Sequence, residues 1–289
     1  MKLDATRAHD AIEPLASRMN KSIAETALGI IRVADANMSN AIRAVTARRG
    51  HDPRRFTLVS FGGAGGLHAC ELAGALEINR VLIPPYAGVL SALGMVIAPP
   101  VIDLAKTVVH LGTQLTDADI EAEFARLSFA AAETLPESQT RQVEHFADVR
   151  FRGQSHELKI TVIGMTLADI SRRFYQAYRT AYGRPPGGRA IEIVTLRVRR
   201  TGFAAKVSLP RIEAEMPPYA VVRETHLIDR EANEVRAAVL TRAQMTWAGK
   251  SPGPVLLIDP EATTFIPAGW LARAQENGSV LIERLAEKK

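Results

Sequence analysis

The sequence predicts an α/β chain in three parts, and three observations carry that prediction. An apolar run, a glycine turn, a helix and a second apolar run follow one another over residues 56–83, the order of a βαβ unit. Residues 104–203 mix alternating strands with two helical windows. Beyond about Ser208 the chain becomes a series of short strands with no long helix. The expected divisions are therefore 1–103, 104–207 and 208–289, the second an α+β segment and the third a small, antiparallel, β-rich module.

The elements follow in order. Ser22-Ile23-Ala24-Glu25 has the S-x-x-E form of a capping box. After it, Ala27, Leu28, Ile31, Ala34, Met38, Ala41, Ile42 and Val45 recur at spacings of three and four, which predicts one long amphipathic helix with a continuous apolar stripe. Gly50 suits the position just past its end, and Arg48 and Arg49 suit the negative end of its dipole. FTLVSF (56–61) is too short for a helix and β-favouring, so it reads as a buried strand. Gly62-Gly63-Ala64-Gly65-Gly66 follow, then a helix from Leu67 to Leu76 and a second strand, Arg80 to Ile83, closed by Pro84-Pro85. Strand, turn, helix and strand in that order imply parallel pairing. GVLSALGMVIA (88–98) reads as a buried helix packed on that unit.

Residues 104–110 suggest a strand, and Thr116-Asp117-Ala118-Asp119 caps a helix running to about Leu135. Residues 143–151 and 158–162 alternate about a Gly153-Gln154 turn and predict a hairpin. A helix over 168–182, a break at PPGG (185–188) and a long strand over 190–203 complete the segment. In the last part, VRAAVLTRAQMTW, GPVLLID, TTFIPAG and a hairpin around Asn277-Gly278 are the predicted strands.

Composition narrows the function classes. The chain has 289 residues, 47% of them hydrophobic, and a mean hydropathy of zero, which places it among globular proteins. The largest apolar stretch, Val81 to Val101, is broken by Pro84, Pro85, Gly88 and Gly94, so no membrane span is expected. MKLDATRAHDAIEPL carries acids and lacks the apolar core of a signal peptide, and Cys70 is the only cysteine; together they suggest a reducing, cytoplasmic setting. A net charge of +5 raises the question of nucleic acid. The only dense basic clusters are RRFYQAYR (172–179) and LRVRR (196–200), which read as a solvated helix face and a strand edge rather than a phosphate track, so no nucleic-acid partner is expected.

The chemistry-bearing candidates are few. A glycine turn between strand and helix lets backbone N–H groups and the positive helix end meet a phosphate, or flat backbone lie against an adenosine. The turn lacks the Gly-Lys-Ser/Thr ending of a Walker A loop and the spacing of G-x-G-x-x-G. On the residues alone, a nucleotide site and a structural tight turn stand level. His68 and Cys70 lie just inside the following helix, where packing under the turn is favoured over catalysis. The seven histidines form no metal-ligand spacing and no G-x-S-x-G elbow is present, so neither metal ligands nor catalytic residues are assigned. Asp103 and Lys106 follow the apolar segment, and for them a strand-end ion pair is the simpler reading than a ligand contact.

RVADANM (32–38), RRGHDPR (48–54), FGGAGGLHA (61–69) and IPPYAGVLSALG (83–94) stand in an order and spacing that resemble the hydantoinase A/5-oxoprolinase family. RFRGQSHEL (150–158), IEIVTLRV (191–198) and GPVLLIDPEATTFIPAGW (253–270) continue the resemblance over nearly the whole chain. It implies half of an actin-like ATPase (ribonuclease H-like) fold, in which such a turn receives the adenosine side of ATP. Gly62, Gly63, Ala64, Gly65 and Gly66 then become the nucleotide contacts, with Leu67, His68 and Asn37 near the site. The resemblance further implies phosphorylation of a carbonyl substrate by ATP and Mg²⁺, for hydrolysis of a cyclic amide or carboxylation of a ketone. Two features depart from the family pattern. Gly66 stands where the family has proline, and the D-x-G-G-T-x-T-D loop that holds phosphates and metal is absent. The resemblance therefore points to one subunit of a hetero-oligomer, inactive alone, with the phosphate loop and most of the metal's ligands on a partner. An acetophenone carboxylase type is favoured; a hydantoinase or oxoprolinase fragment and a structural subunit with an empty nucleotide fold are the alternatives.

Overall fold

A computed structural model describes residues 4–111, 114–164, 166–185, 189–208 and 223–286. The chain forms two compact units, one of Met1–Met95 with Ser208–Lys289 and one of Val96–Val207. The elements in chain order are α1 (Ala5–Met19), α2 (Ile23–Arg48), β1 (Leu58–Val59), α3 (Gly65–Ala75), β2 (Arg80–Ile83) and α4 (Leu90–Ile97). Next come β3 (Val101–Leu111), α5 (Asp117–Thr134), β4 (Thr140–Phe151), β5 (Leu158–Val162), α6 (Leu167–Tyr182) and β6 (Ile191–Gly202). The last are β7 (Arg223–Ile228), β8 (Glu234–Thr241), α7 (Arg242–Ala248), β9 (Lys250–Pro252), β10 (Val255–Asp259), β11 (Ala262–Ile266), β12 (Trp270–Ala274) and β13 (Val280–Arg284).

In the first unit the βαβ prediction holds: β1 and β2 pair in parallel, with Leu58 opposite Val81 and Val59 opposite Leu82. The capping box also forms, Ser22 Oγ accepting from Glu25 N–H while the Glu25 carboxylate accepts from Ser22 N–H. The C-terminal strands do not stand apart as a separate module. β13 pairs antiparallel with β2, giving a sheet of order β1-β2-β13-β12-β9. The remaining strands form a second sheet, β11-β10-β8-β7, in which β8 and β10 run parallel. That parallel step corrects the expectation of an all-antiparallel module, and α7 lies between the two strands in the chain. α7 is itself unexpected in VRAAVLTRAQMTW; a capping box between Thr241 and Gln244 starts it. The Asn277-Gly278 hairpin joins β12 and β13 as predicted.

The core of this unit gathers α3 and both sheets around Ala69, Ala73, Val81, Ile83, Met245, Leu257, Ile266, Val280 and Ile282. α3 is built from small residues, GGLHACELAGA, so β11 can come against it without side chains holding it away. α4 contradicts its sequence reading. None of its residues is buried, and Met95 is 77% exposed. An apolar run specifies that it wants cover and not what covers it.

The second unit is an antiparallel sheet of order β3-β6-β4-β5 with α5 and α6 packed on it. Its core contains Ile120, Phe124, Phe151, Phe174, Ile193 and Leu196. The predicted hairpin is β4–β5, with His145 opposite Val162 and Val149 opposite Leu158. Of the expected PPGG break, residues 186–188 lie outside the described residues. Among the described residues no helix is long and apolar enough to cross a membrane.

Candidate nucleotide site

Backbone hydrogen bonds tie the glycine turn to its neighbours on two sides. Ser60 N–H donates to Leu82 O at 3.0 Å and Gly62 N–H to Ala87 O at 2.8 Å, which holds the exit of β1 beside the loop after β2. Thr263 N–H donates to Gly63 O at 3.0 Å, so β11 holds the other side. Each glycine then has a local reason. Gly62 has φ +92°, where an L side chain is strained. A Cβ on Gly63 would meet Glu261 O at 3.2 Å, and one on Gly65 would meet Ser60 Oγ at 3.0 Å. At Gly66, which is buried, a Cβ would lie 2.2 Å from Thr264 Oγ1 and 2.8 Å from Thr263 O. Two of the glycines thus have structural reasons: Gly62 makes the turn, and Gly66 admits the strand. Gly63 and Ala64 remain exposed, and Ala64 enters α3 without a side-chain cap, so the positive helix end opens on the exposed side of the turn.

The expected neighbours separate. Leu67 is exposed beside the turn. Asn37 is exposed on α2, and at 100° per residue it lies about 160° around the helix from Asp35, on the opposite face. Asp35 is the residue that meets His68, through Oδ1 to Nδ1 at 2.7 Å. Arg230 donates to Asp35 Oδ2 at 2.7 Å and pairs through Nε with Glu71 at 3.1 Å, while Arg32 donates to the Arg230 carbonyl. Facing a carboxylate, His68 Nδ1 carries a proton and donates it to Asp35 Oδ1. Beside it lies a cavity of about 350 Å³ with Leu28, Leu67, Leu227, Leu256 and Phe265 in its wall. Sequence reasoning missed Asp35 and Arg230. The available signal was a carboxylate in phase with Leu28 and Ile42, seven residues from each, on the helix face that packs inward.

Cys70 is buried, and burial pushes its thiol up to about 12, with the Glu71 charge adding to the effect. It is packing, as expected, and no nucleophile. Four arginines of the basic clusters are engaged by carboxylates: Arg172 and Arg173 both bind Asp169, Arg197 Nε binds Asp148 at 2.7 Å, and Arg199 Nε binds Asp103 at 3.0 Å. Asp103 therefore has the strand ion pair that its position suggests. His9, Asp10 and Glu13 on α1 bring potential ligand atoms within 4.8 Å of one another, but all three are exposed and nothing else points to an ion there.

Residues 1–104 match the family model described as Hydantoinase/oxoprolinase. Over these residues the chain resembles members of that family. It is 33% identical over 286 residues to an uncharacterised protein of Methanocaldococcus jannaschii, a match covering 98% of this chain and 42% of that protein. It is 26% identical over 296 residues to the acetone carboxylase beta subunit of Xanthobacter autotrophicus, covering 93% of this chain and 41% of the relative. Among solved structures it is similar to the ATP-dependent caprolactamase from Pseudomonas jessenii, with a TM-score of 0.71 and 22% identity, covering 98% of this chain and 43% of that one. That likeness shows the fold, the actin-like arrangement that the family resemblance implies. The chain spans less than half the length of each of these proteins.

Proposed function

We propose that this chain is the adenosine-side subunit of an ATP-dependent enzyme that activates a carbonyl group by phosphorylation. The observation that carries the reading is the exposed backbone at Gly63 and Ala64 leading into the uncapped start of α3. The exposed backbone suits the flat face of an adenosine, while the uncapped helix start suits a phosphate oxygen beside it. FGGAGG supplies no carboxylate and no lysine, so the turn itself is not built to hold Mg²⁺ or the terminal phosphate. Those tasks belong in this reading to a partner subunit carrying the phosphate loop. The metal-bound nucleotide would supply the transferable phosphoryl group; the chain's own residues position the nucleoside and keep the turn rigid.

Two names among the relatives support the class. Caprolactamase is described as ATP-dependent, and acetone carboxylase contributes its match through a beta subunit. Within the class we favour ketone carboxylation in a multisubunit enzyme of the acetophenone carboxylase type over cyclic-amide hydrolysis. The test is nucleotide binding to the purified assembly, compared between the wild-type chain and Gly63→Val, with the melting of the variant measured alongside because its Cβ would also lie 3.2 Å from Glu261 O. Loss of ATP-analogue affinity with the assembly intact supports the reading. Unchanged affinity favours a structural subunit whose turn packs empty.

A further inference from the structure

Three loops of the first unit meet at the glycine turn. Gly63 belongs to the loop after β1, Gly88 to the loop after β2, and Pro260 and Glu261 form the connection between β10 and β11. Backbone hydrogen bonds hold the three together, from Gly62 N–H to Ala87 O at 2.8 Å and from Thr263 N–H to Gly63 O at 3.0 Å. Glu261 sits in the notch between them. A Cβ on Gly88 would lie 2.2 Å from Glu261 O and 2.5 Å from Glu261 Cβ, and one on Gly63 would lie 3.2 Å from Glu261 O. Gly88 lacks the positive φ that Gly62 has, so what it supplies is space for Glu261.

The stem of Glu261 is therefore fixed beside Gly63 while the residue itself stays exposed. Asp259, two positions earlier, is engaged by Arg242. Glu261 has no ion pair or side-chain hydrogen bond among the described residues. The exposed backbone of Gly63 and Ala64 thus has an acidic residue seated against it and leads into the uncapped start of α3. An ionised carboxylate accepts hydrogen bonds and cannot donate, so its complement carries O–H or N–H groups. A helix start has the opposite demand, for an acceptor or a negative charge. A ribose 5′-phosphate meets both demands, because its vicinal 2′- and 3′-hydroxyls lie on one edge of the sugar and its phosphate leaves from the other. An acidic residue meeting a ribose hydroxyl is a recurrent solution in nucleotide sites.

We propose that Glu261 reads the sugar, its carboxylate accepting from the 2′- and 3′-hydroxyls of the bound nucleotide and selecting ribonucleotides over deoxyribonucleotides. The inference rests on the nucleotide reading above and deepens it, since that reading names the turn and leaves the sugar without a partner. It also sets the nucleotide's direction: with the diol at Glu261, the phosphates run toward α3 and away from a like charge. The role is in specificity and not in phosphoryl transfer.

Binding of ATP, 2′-deoxy-ATP and 3′-deoxy-ATP to the purified protein that contains this chain tests the assignment. The wild type should bind ATP roughly tenfold or more tighter than either deoxy analogue, the factor expected for a lost hydrogen bond to a charged group. Glu261→Ala should shrink that preference to about threefold or less, and Glu261→Gln, which keeps one acceptor, should fall between. Melting curves identify a variant that fails to fold, and the wild-type comparison needs no variant. A folded Glu261→Ala protein that keeps the full preference, or a wild type that binds all three equally, would overturn the assignment and leave the nucleotide reading standing. A wild type that binds none of the three would overturn both.

Discussion

Replacing Gly66 with alanine sets two effects of known size against each other. Gly66 lies in the first turn of α3, and alanine is better than glycine in a helix by about 1 kcal/mol. Against that, the new Cβ would lie 2.2 Å from Thr264 Oγ1 and 2.8 Å from both Thr263 O and Thr264 Cα. A threonine hydroxyl can rotate away, but the backbone of β11 is paired with β10 from Ala262 to Ile266 and cannot retreat freely. Overpacking a buried contact costs about 1–3 kcal/mol, and a clash with paired backbone belongs at or beyond the upper end. The net expectation is a loss of about 2 kcal/mol, or about 4–8 °C in Tm for a unit of this size. Gly74→Ala in the same helix is the control, because its Cβ would meet nothing within 4 Å. Urea denaturation of the two variants decides the matter. If Gly66→Ala proves as stable as Gly74→Ala, the strand yields easily and close approach does not explain the glycine.

Three further expectations concern the rest of the chain. Arg242 is buried, with Nε to Asp259 Oδ1 at 2.9 Å and a bond to Gly278 O at 2.8 Å, so Arg242→Ala should cost about 3–5 kcal/mol in denaturation by stranding the Asp259 carboxylate. The double variant Arg242→Met with Asp259→Leu should recover much of that loss. Burial opposes ionisation of Asp169, but bonds from Gly164 N–H, the Arg173 guanidinium and Ile163 N–H outweigh it and lower the carboxyl from 3.8 to about 2. A lowered folded value stabilises above the unfolded one, so about 2 kcal/mol is present at neutral pH and is lost as pH falls from about 4 towards 2. Asp169→Asn should remove that portion of the acid dependence, read from denaturation midpoints against pH. Cys70, with its thiol raised to about 12, should resist a thiol reagent in the native chain and react at the unfolding rate or in denaturant; fast native labelling would contradict its burial.

Local signals were legible wherever the cause was local. The Ser22–Glu25 box, the βαβ unit and the hairpins at Gly153 and Gly278 each rest on residues a few positions apart, and each forms. α1 went unread because Pro14 interrupts its pattern and only Ala16 of it is buried. α7 was hidden because seven helical residues among strand-like sequence leave no period to detect. The site divides the same way. A glycine turn between strand and helix is visible at once, but what demands Gly66 is Thr264, nearly two hundred residues along the chain. Asp35 and Arg230 are 195 positions apart, and no spacing rule connects a helix to a distant turn. The apolar strand FTLVSF and the α4 run both read as buried, yet Phe56, Val59 and Phe61 are exposed and no residue of α4 is buried. Hydrophobicity reports the need for a partner without saying whether that partner is on the same chain.

The most direct test of the central claim is photolabelling of the purified assembly with an azido-adenine analogue of ATP, followed by peptide mapping. The account predicts label on this chain within residues 61–68, protected by excess ATP and lost with Gly63→Val. Label confined to another subunit, in an assembly that binds ATP and retains this chain, would contradict it.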